Sequence, residues 1–295
     1  MHLGILGQAG GWYVEALQRA AIARGDQCVR IDYDSLISRA RCSRVSLHAG
    51  TIALDNLDIL VVRTMPPGSL EQVVFRMDVL GHLADRGTRI FNSQRAVECA
   101  VDKHLTTLRL CAANLPTPDT IVCENSESAM IAFEELGGDV VVKPLFGAEG
   151  RGILRVDSTE MATRVFRTLE RIDAVLYLQK FIRHPGYDLR VLVLGGEILG
   201  GIKRFAGADF RTNVSLNGRC EVHSVTAAEA DLALRAAACI GADFAGIDLI
   251  TDQNAHDCWI LEVNAVPGWR GFQRATGIPV ADRVIDYLHL KSQSK

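Results

Sequence analysis

Short apolar runs alternate with amphipathic helical patterns along the first 93 residues. The runs HLGIL, QCVRI, LDILVVR and TRIFN predict buried strands, and WYVEALQRAAIARG and LEQVVFRMDVLGHLADRG have apolar positions at helical spacing. Strands separated by helices of this length predict a parallel sheet with right-handed crossovers. We therefore expect the chain to begin with an α/β domain.

The pattern changes after residue 93. A helical stretch is closed by LPTPDT, whose two prolines forbid its continuation. Further on, Met161, Val165, Leu169 and Ile172 predict the apolar stripe of a helix that Asp157 or Ser158 caps. The segment DLRVLVLGGEILGGIKR predicts a hairpin with a Gly-Gly turn, and FAGIDLIT and CWILEVNA predict two more strands.

Composition excludes several classes of protein. The 295 residues are 48% apolar and 23% charged, which is typical of a globular enzyme. The net charge of −3 offers no basic surface, so we expect no nucleic-acid partner. We found neither a signal-peptide pattern nor an apolar run of the ~18 residues that span a bilayer, which predicts a cytoplasmic protein without membrane contact. The eight cysteines lack C-x-x-C spacing, which indicates reduced thiols.

Three oxygen-bearing side chains stand in the two C-terminal strand patterns. Glu262 and Asn264 alternate onto the same face of WILEVNA, and Asp248 joins them if its strand AGIDLI pairs with that one. Carboxylates in apolar strands are costly unless they are paired or bound to metal. Two carboxylates and an amide suit Mg²⁺, which prefers oxygen ligands. The alternative is an ion pair with an arginine such as Arg190 or Arg204.

A lysine precedes a glycine-rich loop in VVVKPLFGAEGRG. Lys143 ends a strand pattern, Gly147, Gly150 and Gly152 follow, and a new strand pattern, ILRV, begins at once. The loop lies between two strands, which excludes a Walker A motif, and the spacing in GILGQAGG excludes a dinucleotide fingerprint. Backbone N–H groups of such a loop and the lysine can hold phosphate. The alternative is a glycine-rich turn with a surface lysine.

Two further segments carry candidate chemistry. Residues 179–182 run from a strand into a loop and can offer backbone donors and acceptors to an adenine edge. Asp188 and Arg190 alternate onto one face of the next strand. The stretch KRFAGADFRTN can bind a phosphoryl group or an anionic substrate; its polar members are Lys203, Arg204, Arg211 and Asn213. A solvated loop is the alternative for each.

Taken in order, these segments resemble the ATP-grasp superfamily, and within it the RimK-like ATP-dependent glutamate ligases. The resemblance spans roughly residues 95–285 and rests on VDKHLTTLRL, LPTPDT, VVVKPLFGAEGRGI, LQKFI with GYDLRVLVLGG, DFRTN, AGIDLI and LEVNAVPGWRGFQRATGIPVA. It implies an α/β (α+β) ATP-grasp fold in three parts. These are an N-terminal parallel-sheet domain over residues 1–93, a central lid subdomain with the glycine-rich flap over 94–178, and a C-terminal subdomain with the metal site over 179–295.

The resemblance also implies a role for each candidate residue. Contacts with ATP are expected from Lys103, Lys143, Gly147, Glu149, Gly150, Gly152, Gln179, Lys180, Phe181, Ile182 and Asp188. The ligands of Mg²⁺ or Mn²⁺ are expected to be Asp248, Glu262 and Asn264. Contacts with the γ-phosphate and the acyl phosphate are expected from the catalytic residues Arg190, Arg211 and Asn213.

The implied reaction adds L-glutamate to an acceptor carboxylate through an acyl phosphate, with ATP, glutamate and the acceptor as small-molecule partners. Family members are often homodimers or homotetramers. The chain departs from the ribosomal-protein-modifying members after DFRTN and at VPGWRGF. In KPLFGAEGRGI and NAVPGWRG it is more similar to the branch that acts on a tetrahydromethanopterin-type pterin. Trp269 then either stacks on such a pterin or caps the core.

Two alternatives to a pterin glutamate ligase stay open. One is a glutamate ligase acting on a ribosomal-protein C-terminus or on another peptide or amino acid. The other is a non-catalytic module that binds ATP.

Overall fold

The computed structural model of the chain describes residues 1–147, 151–205, 219–254 and 257–293. The strands of the first 101 residues are β1 (His2–Leu6), β2 (Gln27–Ile31), β3 (Leu36–Arg41), β4 (Arg44–Ala49), β5 (Ile52–Ala53), β6 (Ile59–Val62) and β7 (Arg89–Phe91). The helices of this stretch are α1 (Trp12–Ala23), α2 (Leu70–Asp85) and α3 (Gln94–Val101).

The remaining elements follow in chain order. Those of the middle third are α4 (Lys103–Ala112), β8 (Thr120–Cys123), α5 (Ser126–Glu135), β9 (Val140–Lys143), β10 (Leu154–Val156), α6 (Thr159–Glu170) and β11 (Leu176–Lys180). Those of the last third are β12 (Tyr187–Leu194), β13 (Glu197–Phe205), β14 (Cys220–His223), α7 (Ala227–Ile240), β15 (Phe244–Thr251), β16 (Cys258–Asn264), α8 (Arg270–Thr276) and α9 (Val280–Gln293).

The chain divides into two compact units. Unit 1 comprises Met1–Val97, Gly241–Phe244 and Ala265–Lys295, and unit 2 comprises Glu98–Ile240 and Ala245–Asn264. The segment that follows β16 thus belongs to the same unit as the N-terminal residues. The three-part division at residues 93 and 178 stays a prediction.

Unit 1 contains the predicted parallel sheet. Its strand order is β2-β1-β6-β7, and each neighbouring pair is parallel. The segment GILGQAGG forms the end of β1 and the turn into α1, as its spacing indicates. The antiparallel sheet β3-β4-β5 was not predicted. Its first strand is exposed beyond Leu36, so the hydrophobic pattern that marks a buried strand is missing.

The smaller sheet of unit 2 is antiparallel, with strand order β10-β9-β11-β8. Helices α5 and α6 pack against it through buried side chains that include Phe133 and Phe166. Ser158 caps α6 as predicted, but the predicted stripe is only partly right. Met161 and Ile172 are 44% and 68% exposed, because the buried face of α6 is formed by Ala162 and Phe166.

The larger sheet of unit 2 has the order β14-β13-β12-β15-β16. The Gly-Gly hairpin between β12 and β13 is confirmed; Gly195 and Gly196 have φ angles of 62° and 82°, the left-handed conformation that a tight hairpin turn requires. The helical stretch after residue 93 is broken at Asp102, whose carboxylate accepts a hydrogen bond from the Leu105 N–H and caps α4.

In the described parts of the chain, none of the helices combines the length and the hydropathy that crossing a bilayer requires.

Candidate active site

One pocket of unit 2 brings together most of the predicted nucleotide- and metal-binding side chains. Its polar and hinge residues are Lys103, Lys143, Gln179, Lys180, Phe181, Ile182, Asp188, Asp248 and Glu262, and the wall is completed by Val141, Ile153, His184, Ile250 and Leu261. The space between these side chains, including the part that is open to solvent, is about 710 Å³. Sequence positions from 103 to 262 thus meet at one place.

Two lysines supply positive charge to this pocket. The Lys143 ammonium donates a hydrogen bond to Gln179 Oε1 over 2.6 Å, and that of Lys103 donates to the Gly147 carbonyl over 2.9 Å. Burial lowers the pKa of Lys143, while Glu262 and Asp248 oppose this shift and the charge of Lys103 adds to it. The net pKa is about 8. Burial also lowers the pKa of Lys103, against the charge of Glu262.

Residues 179–182 run from β11 into a loop as predicted, but several of their hydrogen-bonding groups already have partners within the chain. The Gln179 side chain is buried and donates to Thr120 Oγ1 over 3.0 Å, so it holds Lys143 instead of facing solvent. The Lys180 N–H donates to the Asp119 carbonyl, and the Phe181 N–H donates to the Asp139 carbonyl. These two backbone donors are therefore not free for a base.

A network of two buried carboxylates and two partly exposed guanidiniums lies beside the lysines. Asp188 and Arg204 stand opposite each other on β12 and β13, and Arg204 donates to both Asp188 oxygens. Arg190 donates to both oxygens of Asp248 over 2.7 Å each, and Arg204 Nη2 lies 2.9 Å from Asp248 Oδ2. Asp248 therefore forms an ion pair with arginine, which is one of the two alternatives from the sequence.

The predicted metal ligands lie together at the pairing of β15 and β16. Asp248 stands directly opposite Glu262, and Asn264 lies two residues further along β16, on the same face as Glu262. Within the described residues, no group of three or more His, Cys, Asp or Glu side chains is arranged to hold a metal ion. The candidate set is two carboxylates and one amide, whose oxygens suit Mg²⁺. These residues can hold Mg²⁺ if Asp248 releases one of its guanidinium partners and binds the ion instead.

The glycine-rich loop joins β9 to β10, two antiparallel strands, as its sequence context predicts. Gly152 has a φ of 74° and lies against the Pro144 ring, a backbone conformation that favours glycine. Four predicted site residues lie outside the described residues, namely Glu149, Gly150, Arg211 and Asn213.

Sequence reasoning missed part of this pocket. His184 lines it and was not predicted; it follows the 179–182 segment in the chain, and this position is the signal that could have found it. The apolar wall of Val141, Ile153, Ile250 and Leu261 carries no local signal, because each residue looks like an ordinary strand or loop hydrophobe. The sequence names Arg204 as a candidate ion-pair partner. It does not show that Arg204 bridges two carboxylates, because that contact depends on strand register.

Trp269 lies in the core of unit 1. It is fully buried in unit 1, with its ring centroid 4.8 Å from that of Tyr13 and 5.6 Å from that of Phe244. The stacking interpretation is wrong and the core interpretation is confirmed. Its position in VPGWRGF gave no means of separating the two.

Comparison with known proteins identifies the family. Residues 100–288 match the model of the RimK-like ATP-grasp domain. The chain is 33% identical to the tetrahydromethanopterin:alpha-L-glutamate ligase of Methanosarcina acetivorans, over 94% of this chain and 95% of that one. It is 28% identical to the ribosomal protein bS6--L-glutamate ligase of Salmonella paratyphi B, over 98% and 95% of the two chains.

Solved structures share the fold. The RimK domain protein ATP-grasp from Sphaerobacter thermophilus superposes with a TM-score of 0.76 at 20% identity, over 97% of this chain and 99% of that one. The ATP-grasp ligase PsnB, complexed with a phosphomimetic variant of its minimal precursor, Mg and ADP, gives a TM-score of 0.75 at 20% identity, over 100% and 99%. The chain belongs to the RimK-like ATP-grasp family, and the predicted α/β ATP-grasp fold is confirmed.

Proposed function

We propose that the protein is an ATP-dependent ligase that joins L-glutamate to the carboxylate of a tetrahydromethanopterin-type pterin. The observation that carries the proposal is the pocket of unit 2, in which Lys103, Lys143 and Glu262 lie together. Lys103 and Lys143 supply two positive charges beside the Glu262 carboxylate, which stands opposite Asp248. This arrangement suits a nucleoside triphosphate and its Mg²⁺. Family membership supports a ligase that forms carbon–nitrogen bonds.

The two lysines are proposed to bind the phosphates of ATP. Lys143 is held in place by Gln179, and burial disfavours its charged form. Bound phosphate would favour the charged form. The backbone N–H that donates to the adenine edge would be that of Ile182 or of a later residue, because the N–H groups of Lys180 and Phe181 are already used.

Asp248, Glu262 and Asn264 are proposed as the ligands of Mg²⁺, which would neutralise phosphate charge when bound. Asp248 would give up its two-oxygen contact with Arg190 to take this role, and Arg204 would continue to bridge Asp248 and Asp188. The released Arg190 guanidinium could then face the γ-phosphate. Arg211 and Asn213 keep their predicted roles at the acyl phosphate. Mn²⁺ is proposed to substitute for Mg²⁺.

The chemistry requires little covalent work from the protein. An acceptor carboxylate oxygen attacks the γ-phosphorus of ATP, ADP leaves, and an acyl phosphate forms. The glutamate amine then attacks the acyl carbon, loses a proton and expels phosphate to give the amide. The proposed contributions of the chain are positioning and charge neutralisation. The three-part domain division, the glycine-rich flap and a homodimer or homotetramer belong to the same proposal.

A turnover assay tests the proposal. The protein is incubated with ATP, Mg²⁺, labelled L-glutamate and one acceptor at a time, chosen from a tetrahydromethanopterin-type pterin, a ribosomal-protein C-terminal peptide and free amino acids. We expect ADP release that needs both glutamate and the pterin, with a product heavier by one or more glutamyl units.

The outcomes separate the candidates. Turnover with the peptide instead of the pterin would support the second candidate, which the bS6 ligase relative favours. ATP binding without turnover on any acceptor would support the non-catalytic module and contradict the proposal.

A further inference from the structure

One face of the smaller sheet of unit 2 carries buried polar side chains. Side chains alternate along β11, so its leucines belong to the hydrophobic cluster of α5 and α6, whereas Tyr177 and Gln179 lie on the opposite face. Tyr177 stands opposite Lys143 of β9, and Gln179 stands opposite Thr120 of β8. Tyr177 and Gln179 are each 2% exposed, so their polar groups need partners inside the protein.

Two threonine hydroxyls beside these side chains have already used their hydrogens. Thr107 Oγ1 donates to the Lys103 carbonyl over 2.8 Å, and Thr120 Oγ1 donates to the Pro118 carbonyl, also over 2.8 Å. A hydroxyl carries one hydrogen and two lone pairs, so each threonine oxygen can accept but can donate no further. Tyr177 therefore donates its own hydrogen to Thr107 Oγ1, which lies 2.8 Å from the phenol oxygen.

This arrangement of hydrogens sets the orientation of the Gln179 amide. Its nitrogen donates to Thr120 Oγ1 over 3.0 Å and to the Tyr177 hydroxyl oxygen over 3.3 Å, and both oxygens can accept. Its own oxygen accepts a hydrogen bond from the Lys143 ammonium over 2.6 Å. In the reversed orientation the amide oxygen would face two oxygens that have no hydrogen to give it, and the amide N–H groups would face a cation.

The orientation of Gln179 matters for the pocket because it determines how Lys143 is held. An ammonium carries three N–H groups, so one bond to Gln179 restricts the long lysine side chain and still leaves donors that can face phosphate oxygens. Residues that hold the groups of a binding site in a single geometry raise its affinity, because that geometry need not form anew when the ligand binds.

We propose that Tyr177 is a positioning residue for nucleotide binding, whose hydroxyl fixes the Gln179 amide with its oxygen towards Lys143. Thr107 completes the arrangement by accepting the Tyr177 hydrogen. Tyr177 is not among the described residues that line the pocket, so it acts through Gln179. The inference rests on the proposed function, in which Lys143 binds a phosphate of ATP.

Calorimetric titration with ADP and Mg²⁺ tests this role without an acceptor substrate. Tyr177→Phe keeps the ring and removes the hydroxyl, and we expect the Kd of ADP to rise about fivefold, the effect of one hydrogen bond of typical strength. Tyr33→Phe is the matched control, because Tyr33 is also buried and its hydroxyl donates to the Arg63 carbonyl of unit 1 over 2.9 Å. This control should bind ADP as the wild type does.

The possible results separate the positioning role from the proposed function. ADP binding by the wild type with the same affinity in Tyr177→Phe would overturn the positioning role alone. A wild-type protein that does not bind ADP would contradict the proposed function and overturn the positioning role with it. An equal loss of affinity in Tyr33→Phe would show a general effect of removing a buried hydroxyl and would also overturn the proposal.

A double-mutant cycle distinguishes positioning from a general loosening of the sheet. Gln179→Met removes the amide, and we expect the Kd of ADP to rise roughly tenfold because a hydrogen bond to a charged group is lost. If Tyr177 acts through Gln179, then adding Tyr177→Phe to this variant should change the Kd by less than about twofold. Wild-type affinity in Gln179→Met, or a further loss of about fivefold in the double variant, would overturn the proposal.

Two substitutions of Thr107 test the direction of the Tyr177 hydrogen bond. Thr107→Val keeps the shape of the side chain and removes the acceptor, so it should weaken ADP binding about as much as Tyr177→Phe. Thr107→Ser keeps the hydroxyl and should bind ADP with the affinity of the wild type. Equal affinities in the Val and Ser variants would contradict the role of the hydroxyl and overturn the proposal.

Discussion

Arg204 in unit 2, whose side chain is 11% exposed, and Arg63 in unit 1, which is 4% exposed, have opposite environments. Burial lowers the pKa of Arg204, yet the carboxylates of Asp188 and Asp248 outweigh burial and raise it above its usual value. Burial lowers the pKa of Arg63 to about 10, with only two tyrosines acting against it. Burial alone therefore does not decide the energetics of a charge; the partners within hydrogen-bond distance do.

The difference between the two regions also separates their chemistry. In unit 2 the charges form a network next to an open pocket, so an entering ion or phosphate can exchange partners with them. In unit 1 Arg63 is held by the rings of Tyr13 and Trp269 and by the Pro267 carbonyl, and in the described chain no carboxylate forms an ion pair with it. The following variants test this contrast, beginning with the largest expected effect.

Glu262→Ala should abolish turnover with the fold preserved. Glu262 is the carboxylate that stands opposite Asp248 and raises the pKa of both pocket lysines, so its loss removes a proposed metal ligand. We expect kcat/KM to fall about 1,000-fold, with an unchanged circular dichroism spectrum. Glu197→Ala, at an exposed hairpin position, is the control and should be fully active. A Glu262→Ala variant as active as wild type contradicts the metal role.

Asp248→Asn should be strongly destabilising, unlike Arg63→Met. The first substitution leaves two largely buried guanidiniums, whose side chains are 16% and 11% exposed, short of a counter-charge, so we expect a loss of about 3 kcal/mol in the free energy of unfolding. The second removes a charge that has no carboxylate partner in the described chain, so we expect a loss of about 1 kcal/mol. Urea denaturation measures both. Equal losses would show that the two environments do not differ as described.

Lys143 should make the free energy of unfolding and the ADP affinity of the protein depend on pH above neutrality. Its pKa in the folded protein is about 8, below the ~10.4 of an unfolded lysine, so between these values the unfolded state binds more protons. The free energy of unfolding, relative to Lys143→Met, should therefore rise with pH in this window. ADP affinity should fall over the same window, because phosphate favours the charged lysine.

Denaturant titrations at several pH values and ADP binding by calorimetry measure these two effects. Identical pH profiles for wild type and Lys143→Met would contradict the description of the buried lysine.

Arg190→Gln should strengthen metal binding in the absence of nucleotide. The substitution removes the guanidinium that holds both oxygens of Asp248, while Arg204 still compensates that carboxylate. We expect roughly tenfold tighter Mn²⁺ binding, which corresponds to about 1.4 kcal/mol for one removed positive charge. Electron paramagnetic resonance of free Mn²⁺ measures the affinity.

Arg235→Gln removes an exposed ion pair with Asp231 on α7 and should leave Mn²⁺ affinity unchanged. If Arg190→Gln binds Mn²⁺ no better than this control, Arg190 does not compete with the metal.

The sequence predicted the features that depend on neighbours along the chain. The parallel sheet, the Gly-Gly hairpin and the glycine-rich loop between two strands all follow from local periodicity and turn residues. Lys143, Asp248 and Glu262 could be selected because a charge at the end of or within an apolar strand needs a partner. The hairpin β3-β4 escaped prediction because its exposed face gives no apolar signal.

The sequence by itself therefore determined the family, the order of most strands and helices, and which polar residues require partners. Only the tertiary structure decided which partner each one has. Strand register places Arg204 opposite Asp188 and Asp248 opposite Glu262, and packing buries Trp269 against Tyr13 and Arg63. These outcomes depend on residues up to 256 positions apart in the sequence, namely Tyr13 and Trp269. The local sequence around a residue can show that a charge needs a partner or that a ring must be buried. It does not show which residues provide these contacts.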